Sequence, residues 1–237
     1  MCDSCGCGDP RIVSVEVHER VLSANDRRAS HLRDHFRERG LLAINLMGSP
    51  GAGKTAVLEA TAAACTGRQL GALAGDLATD HDARRLRAAG IASASITTGS
   101  ACHLDADLVH HALHHFPWTG LDYLFIENVG NLVCPAIYDL GQAANVVALS
   151  VTEGEDKPLK YPVMFKAADL VLVTKVDLLP HLPGVRLETI ADALAHVMPR
   201  PLFFPLSART GEGLVRWTAW LEERRCAVSR DAARPAC

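Results

Sequence analysis

Residues 48–55 read GSPGAGKT and follow an apolar run, residues 41–47, that has the character of a buried strand. Glycines at this spacing let the backbone curl until its N–H groups converge on phosphate oxygens, and a helix beginning here adds positive potential. Lys54 could then reach the β- and γ-phosphates of a nucleotide, and the Thr55 hydroxyl could ligate Mg²⁺. A glycine-rich turn with an unrelated lysine is the alternative, and the strand–loop–helix context favours nucleotide binding.

A second motif, TKVD at residues 174–177, lies at the predicted carboxyl end of a late strand, where open α/β sheets bind ligands. The Asp177 carboxylate can accept two hydrogen bonds from the N1–H and exocyclic amine of guanine, which adenine does not offer. The stem of Lys175 can pack on the base, and Thr174 stands where guanine motifs more often have asparagine. A lone K-x-D is as often a solvated strand end, but combined with residues 48–55 it favours GTP.

A third loop, SAR at residues 207–209, follows the next predicted strand and resembles the second guanine loop of GTPases. We therefore predict that the bound nucleotide is GTP. The residues that we assign to nucleotide binding are Gly48, Gly51, Ala52, Gly53, Lys54, Thr55, Ala56, Thr174, Lys175, Asp177, Ser207 and Ala208.

Two carboxylates lie at the ends of further predicted strands, near residues 48–55, which we call the phosphate loop. Glu127 lies in IENVG, with a glycine three residues on, and resembles the D-x-x-G sensor of a γ-phosphate, while Asp76 follows Gly75 at the end of another strand. Either can contact Mg²⁺ or the attacking water, and the sequence leaves open which one does. Ordinary strand-end polarity is the alternative. We assign catalysis to Lys54, Asp76 and Glu127, and Mg²⁺ binding to Thr55 and Asp76.

Three of the eight cysteines, Cys2, Cys5 and Cys7, form C-x-x-C-G-C. Thiolates this close together can surround one soft or borderline divalent ion. A backbone amine or amide as a fourth donor would favour a square plane and Ni²⁺, whereas tetrahedral closure would favour Zn²⁺. A redox pair or an inert tail is the alternative, and a disulfide scaffold is disfavoured in a chain of this length with no secretory signal at its start.

A second cysteine group comprises Cys102 and His103 in ACHLDA together with Cys134 in NLVCPA. Both segments follow predicted strands, so we expect them to meet near the nucleotide end of the sheet. Three donors leave an open site that a second subunit or water could complete. The alternative is two small buried cysteines and a satisfied histidine. The nearby HALHH run, residues 111–115, has helical spacing and favours a solvated helix face rather than a metal site.

The elements that must position these residues alternate between strand and helix. Several strands are nearly continuous apolar runs, as expected when helices cover both faces of a mainly parallel sheet, so the predicted fold is α/β of the P-loop GTPase type. The predicted strands are 41–47, 69–75, 92–97, 122–127, 146–151, 170–174 and 202–206. The predicted helices are 17–39, 54–66, 81–89, 106–116, 185–198 and 214–225.

The composition agrees with one globular domain with short appendages, because 237 residues are 49% hydrophobic and 22% charged. A net charge of −3 gives no reason to expect nucleic acid or an anionic membrane as a partner. No run approaches the roughly 18 apolar residues of a membrane span, and we expect a cytoplasmic protein. The predicted divisions are a metal-binding tail (1–10), a helical segment (11–40), a P-loop GTPase domain (41–226) and a flexible tail (227–237).

Seven segments in this order resemble the HypB family of hydrogenase nickel-incorporation GTPases: MCDSCGCG, GSPGAGKT, GDxxTxxDAxR, TGxxCHLDA, ENVGNLVCPA, EGEDKPLKYP and TKVDLLP. The resemblance implies a cytosolic GTPase that helps to insert nickel into [NiFe]-hydrogenase precursors. It implies an N-terminal nickel site at Cys2, Cys5 and Cys7 and a nickel or zinc site at Cys102, His103 and Cys134. It also implies GTP- and metal-dependent homodimers, a nickel metallochaperone partner and the hydrogenase large-subunit precursor as client.

Three other functions compete with this interpretation. A urease-accessory GTPase would share the nucleotide loops, but it is expected to carry a single C-P-H metal motif and no C-x-x-C-G-C. A P-loop kinase for a small molecule is disfavoured by TKVD and by the lack of an evident lid segment. A metal buffer would use nucleotide for structure alone, and GTP turnover with and without metal distinguishes it from a GTPase.

Overall fold

The structure is a computed structural model and describes residues 10–76, 80–99 and 101–232. Its centre is a sheet in the order β3-β2-β4-β1-β5-β6-β7, in which every pairing is parallel. This arrangement confirms the predicted α/β fold. The strands are β1 (Leu42–Met47), β2 (Leu70–Asp76), β3 (Ala92–Thr97), β4 (Tyr123–Glu127), β5 (Ala144–Ser150), β6 (Leu170–Thr174) and β7 (Phe203–Leu206).

Helices cover both faces of the sheet. They are α1 (Pro10–Glu38), α2 (Lys54–Ala64), α3 (His81–Ala88), α4 (Ala106–Leu113), α5 (Lys157–Lys160), α6 (Pro162–Lys166), α7 (Leu187–Val197) and α8 (Leu214–Ala232). Short 3-10 helices span Cys134–Ala136, Val151–Glu153 and Val176–His181. Among the described helices, none is long and apolar enough to cross a membrane.

The alternation of side chains along β1 divides the core into layers. Leu42 and Ile44 pack into a cluster with Leu58 of α2 and Trp217 of α8, while Ala43 faces a second cluster with α1 and α4 on the opposite side. A third cluster joins β5 and β6 to α6 and α7. Because every strand of the centre is buried on both faces, the strands read as continuous apolar runs in the sequence.

The order of the strands places the functional loops at one edge. The chain leaves β1 in the middle of the sheet, with β4 on one side and β5 on the other. Since all strands are parallel, the loops that follow β1, β2, β4, β6 and β7 emerge at the same carboxyl edge. That edge carries most of the residues that the sequence singles out, and the fold determines their proximity.

Three sequence predictions of elements differ from the structure. Helix α1 begins at Pro10 rather than Val17, since proline is well suited to the first helical position. Helices α5 and α6 were not predicted, and both have a proline within their first two positions. Helix α8 continues to Ala232, past the predicted end at Arg225 and the predicted boundary of a tail at 227. Contacts between α8 and α1 accompany this extension.

Candidate functional site

The phosphate loop runs from the end of β1 to the start of α2, and three of its glycines have positive φ angles. Gly48 has a φ of 142°, and a Cβ atom there would lie 2.4 Å from the carbonyl oxygen of Ala148 on β5. Gly51 and Gly53 have φ values of 75° and 94°, in the left-handed region that disfavours other residues. The loop therefore needs glycine for the close approach to β5 and for its own turns.

Lys54 is the first residue of α2, and its side chain turns back into the loop. Its Nζ donates hydrogen bonds of 3.2 Å to the carbonyl oxygens of Gly48 and Ser49. Burial lowers the pKa of Lys54 from its usual value, while the carboxylates of Glu127, Asp82 and Glu153 oppose that shift. The fold thus holds an ammonium group inside a loop whose curl suits phosphate oxygens.

Thr55 lies between two carboxyl groups. Its Oγ1 is 2.8 Å from Oε1 of Glu127 and 3.0 Å from Oδ1 of Asp82. A hydroxyl has one proton to donate, so it can satisfy one ionised carboxylate and leaves the other facing a lone pair. The repulsion between that carboxylate and the lone pair is relieved when one of the two carboxyl groups is protonated or when a cation binds between them.

Glu127 ends β4 and is 3% exposed. Its Oε2 atom is buried and has no hydrogen-bond partner among the described residues. Burial raises the pKa of Glu127 to about 7, and the nearby charge of Lys54 opposes that rise. A buried carboxyl oxygen without a partner is costly unless a ligand satisfies it.

These groups line a cavity of about 420 Å³ that also includes Asp76 at the end of β2. The cavity therefore brings together one hydroxyl and three carboxyl groups, those of Thr55, Asp76, Asp82 and Glu127. Oxygen donors of this kind are the ligands that Mg²⁺ prefers. The unsatisfied Oε2 of Glu127 and the shared hydroxyl of Thr55 show that the residues present fit a divalent oxygen-seeking cation.

The TKVD segment is hydrogen-bonded to the phosphate loop. Thr174 Oγ1 donates to the carbonyl oxygen of Ala52 at 2.6 Å, and Lys175 Nζ donates to that of Gly51 at 2.7 Å. Lys175 has a φ of 59°, unusual for a residue with a side chain. Thr174 therefore braces the two loops through its hydroxyl, although asparagine is more common at this place in guanine motifs.

Asp177 is held by the loop that follows β7. Its Oδ1 accepts a 2.7 Å hydrogen bond from Ser207 Oγ, and its side chain is 14% exposed. Ser207 Oγ also accepts a hydrogen bond of 3.2 Å from the backbone N–H of Thr210. Ala208 is half-buried against the core beside this pair. The two loops together present a fixed carboxylate at the carboxyl edge of the sheet.

The second cysteine group is assembled as the sequence predicts. Cys102 Sγ lies 3.2 Å from Cys134 Sγ and 3.9 Å from Nδ1 of His103. One ligand atom from each of the three lies within 4.8 Å of the others. The His103 ring stacks on Tyr138 at 3.9 Å, and burial lowers the pKa of His103, which favours the neutral imidazole that binds metals.

One short segment connects this group with the phosphate loop. It begins at Glu127 and ends at Cys134, and its midpoint Asn131 forms a β-bridge with Gly48. The Asn131 side chain donates a 3.3 Å hydrogen bond to the carbonyl oxygen of Cys102. Gly130 approaches Pro50 so closely that a Cβ atom on Gly130 would lie 2.7 Å from its Cγ. The cavity beside the phosphate loop, which we call the nucleotide cavity, and the cysteine group therefore share this segment of backbone.

Comparison with known proteins decides the family. Residues 42–203 match the family model described as CobW/HypB/UreG, nucleotide-binding domain. The hydrogenase maturation factor HypB of Rhizobium leguminosarum bv. viciae is 50% identical over 92% of this chain and 72% of its own length. The HypB of Azotobacter vinelandii is 48% identical over 93% of this chain and 72% of its own length. The chain belongs to the HypB family of hydrogenase maturation factors.

The fold agrees with this assignment. A crystal structure of HypB from Helicobacter pylori in complex with nickel superposes with a TM-score of 0.82 at 38% identity, covering 86% of this chain and 96% of that one. HypB proteins are P-loop GTPases, and this HypB-family chain is a P-loop GTPase with the corresponding sheet and loops. The family predicted from the seven sequence segments is confirmed.

The structure of this HypB-family protein brings Lys54, Thr55, Asp76 and Glu127 to one cavity, as predicted. Asp82, on the first turn of α3, reaches the Thr55 hydroxyl and was not assigned a role from the sequence. The sequence feature that could have indicated Asp82 is the DA pair of GDxxTxxDAxR, because this pair places an aspartate shortly after a strand that ends at the cavity. Cys2, Cys5 and Cys7 lie outside the described residues.

The pKa of Glu127 predicts a pH dependence of stability. A carboxyl whose pKa is raised to about 7 in the folded protein binds its proton more tightly there than in the unfolded chain. Its stabilising contribution is complete below the ordinary pKa of about 4.5 and is lost as the pH rises through the folded pKa of about 7, by about 3 kcal/mol in total. Urea unfolding in EDTA, without nucleotide, should show stability falling between pH 5.5 and 7.5, less so in Glu127→Gln.

The exposed Glu188→Gln on α7 is the matched control and should keep the wild-type slope of stability against pH. Added Mg²⁺ and GTP should flatten the slope in the wild type, because they satisfy the ionised carboxylate. Parallel curves for wild type and Glu127→Gln would show that this carboxyl is not perturbed by its burial.

Proposed function

We propose that this protein hydrolyses GTP to control the delivery of nickel to [NiFe]-hydrogenase precursors, with the ion as cargo. The observation that carries the proposal is the segment from Glu127 to Cys134, which begins in the nucleotide cavity and ends in a Cys–His–Cys group. A movement of that segment on hydrolysis would change both sites at once. Allosteric coupling requires such a shared element with two arrangements.

The donor set supports a borderline divalent ion as cargo. Two thiols and an imidazole suit Ni²⁺ or Zn²⁺, and hard cations such as Mg²⁺ prefer oxygen. Three donors from one chain leave at least one coordination position to be filled. We therefore assign Cys102, His103 and Cys134 to this site, with Ni²⁺ as cargo and Zn²⁺ as a competing ion.

A second copy of the chain is the proposed source of the missing donors. Cys102 is exposed, and the large apolar side chains of Val133 and Ile137, which flank Cys134, are 44% and 42% exposed. Apolar side chains at the rim of an incomplete metal site favour an interface there. We propose a homodimer whose formation depends on GTP and metal.

The N-terminal C-x-x-C-G-C motif supports a second nickel site at Cys2, Cys5 and Cys7, proposed from the sequence. Delivery also requires a source of nickel and a recipient. We propose a nickel metallochaperone as the source and the hydrogenase large-subunit precursor as the recipient. Thiolate ligands need a reducing compartment, which supports the cytoplasm as the location.

Hydrolysis is proposed to rest on the residues that line the nucleotide cavity. Lys54 would stabilise negative charge on the transferred phosphoryl group, since its ammonium is already held within the loop. Thr55, with Glu127, Asp82 and Asp76 nearby, would hold Mg²⁺, which when bound neutralises charge on the β- and γ-phosphates. A carboxylate among Asp76, Asp82 and Glu127 would orient the attacking water.

A dimerisation experiment tests the proposal. Ni²⁺ and GTPγS together should shift the monomer–dimer equilibrium of the wild type toward the dimer by at least about fivefold relative to GDP without metal. By linkage, nickel should tighten GTPγS binding in the same sense. Cys134→Ser should lose the nickel dependence, because it removes one of three donors. Sedimentation velocity in the four combinations of nucleotide and metal measures this.

The matched control is Cys226→Ser, since Cys226 is an exposed cysteine on α8 away from the carboxyl edge. It should behave as the wild type does in all four conditions. A monomer–dimer distribution that is the same in every nucleotide and metal state would leave two independent sites and contradict the proposal.

A further inference from the structure

Four histidines lie together on the face where helices α1 and α4 pack. His31 and His35 are one turn apart on α1, and their ring centroids are 4.4 Å apart. His110 and His114 are one turn apart on α4, with centroids 4.6 Å apart. The centroids of His31 and His110 are 6.4 Å apart across the helices. We call these four residues the two-helix histidine cluster.

We propose that the two-helix histidine cluster binds one borderline divalent transition-metal ion, at a site separate from the cysteine groups. Histidines at i and i+4 project from the same side of a helix and can hold one ion between them. Here two such pairs face each other on packed helices. Imidazole is a preferred ligand of Ni²⁺, Cu²⁺ and Zn²⁺.

Buried contacts and a hydrogen bond hold α1 and α4 together beneath the cluster. Asn25 Oδ1 on α1 accepts a 2.9 Å hydrogen bond from the backbone N–H of Ala106 at the start of α4. Leu32 and Phe36 of α1 and Leu113 of α4 are buried in one core cluster. Side chains from the two helices line a groove of about 200 Å³. The packed helices therefore keep the two histidine pairs next to each other, and the imidazole rings can reorient by rotation of their side chains.

Ring rotation is sufficient to change the contacts among the four histidines. Within each pair the rings meet edge to face, at 88° and 86°, so a different torsion is needed to direct two nitrogens at one ion. His31 and His114 are exposed, and His35 and His110 are half-buried. Exposed side chains make such rotations within nanoseconds. His35 Nδ1 lies 3.5 Å from Arg39 Nη1 and 3.9 Å from Glu38 Oε2, which leaves its Nε2 as the ligand atom.

The charges around the cluster are compatible with a cation. Arg28 Nε is 2.6 Å from Asp107 Oδ1, so a carboxylate balances this guanidinium. Arg39 lies over the Trp118 ring, 4.8 Å from its centroid. Burial first, and then the positive charges of Arg28 and neighbouring histidines, lower the pKa of His110, which favours its neutral, ligating form. His111 has its centroid 6.0 Å from that of His110, at the edge of the cluster.

Nickel stoichiometry of the full chain tests the site. With the cysteine sites saturated, equilibrium dialysis should find one further Ni²⁺ in the wild type. His31→Gln with His110→Gln removes one donor from each pair and should weaken binding of this ion at least about tenfold. Replacing all four histidines should remove one equivalent. Glutamine keeps helix propensity and polarity, so the helices should remain folded.

His181→Gln with His196→Gln is the matched control, because both histidines are exposed and lie elsewhere on the protein. This pair should leave nickel stoichiometry unchanged. As a measurement independent of variants, imidazole ¹⁵N resonances of the four histidines should shift together during a Zn²⁺ titration of the wild type. Equal nickel binding by both double variants, or four resonances that titrate separately or not at all, would overturn the proposal.

Discussion

Replacing Lys54 with alanine should lower the rate of GTP hydrolysis by about a hundredfold or more. The ammonium is buried inside the phosphate loop and is held by two backbone carbonyl oxygens. Arg85 is the other cation among the described residues that line this cavity, and its guanidinium is paired with Glu59 at 2.8 Å. The loss should fall mainly on kcat, because the charge that develops on the transferred group is what the ammonium stabilises. Steady-state release of phosphate from GTP measures the effect.

The loss of Lys54 should also affect its neighbour. The charge of Lys54 opposes the rise in the pKa of Glu127, so Lys54→Ala should move that pKa further upward. In urea unfolding with EDTA and without nucleotide, the loss of stability with rising pH should therefore extend to higher pH in Lys54→Ala than in the wild type. Lys160→Ala, which removes an exposed ammonium paired with Asp156, is the control and should keep wild-type turnover. A kcat within threefold of the wild type in Lys54→Ala would remove this residue from catalysis.

Asp177→Asn should convert the preferred nucleotide from GTP to xanthosine triphosphate. The carboxylate accepts hydrogen bonds from guanine, whereas the asparagine amide presents a donor that suits the additional carbonyl of xanthine. We expect GTP affinity to fall about a hundredfold, in the range of a lost bidentate base contact. Oδ1 of the asparagine can still accept the hydrogen bond from Ser207, so the loop should keep its conformation.

Fluorescent nucleotide competition with GTP, xanthosine triphosphate and ATP measures the change in preference. Asp192→Asn, an exposed aspartate on α7, is the control and should leave the preference for GTP unchanged. An Asp177→Asn variant that binds GTP as tightly as the wild type would show that another group reads the base.

The phosphate loop and the sheet could be predicted because their signals are local. An apolar strand, a glycine-rich turn and a helix start are contiguous in the sequence, and their spacing alone indicates the phosphate site. The proximity of Cys102 and Cys134 was predictable from topology, because both residues follow strands that end at the same edge of the sheet. Patterns of this kind rely on the regularity of parallel sheets rather than on side-chain detail.

Contacts of side chains with residues far away in the sequence could not be predicted. The bond from Thr174 to Ala52 crosses 122 positions, and nothing in either segment indicates the other. Asp82 reaches Thr55 because α3 starts close to the cavity, and the sequence alone does not give the position of that helix. The histidines of α1 and α4 likewise became neighbours through helix packing, although residues 111–115 alone favoured a solvated face.

The sequence did not predict the two short helices between β5 and β6. Pro158 and Pro162 each lie in the first turn of one of them, where the missing N–H has no intrahelical partner to lose. The sequence predicted a flexible tail from residue 227, yet α8 continues to Ala232. The packing of α8 against α1 accompanies this continuation.

The β-bridge between Gly48 and Asn131 also fixes how much slack the chain has between the two sites. Beyond Asn131, two residues, Leu132 and Val133, precede Cys134. Three peptide units span at most about 11 Å when fully extended. This connection between Asn131 and Cys134 is too short to absorb a large displacement of Asn131. The length of the connection, rather than any single side chain, therefore limits how far Asn131 can move before the Cys134 thiol must move with it.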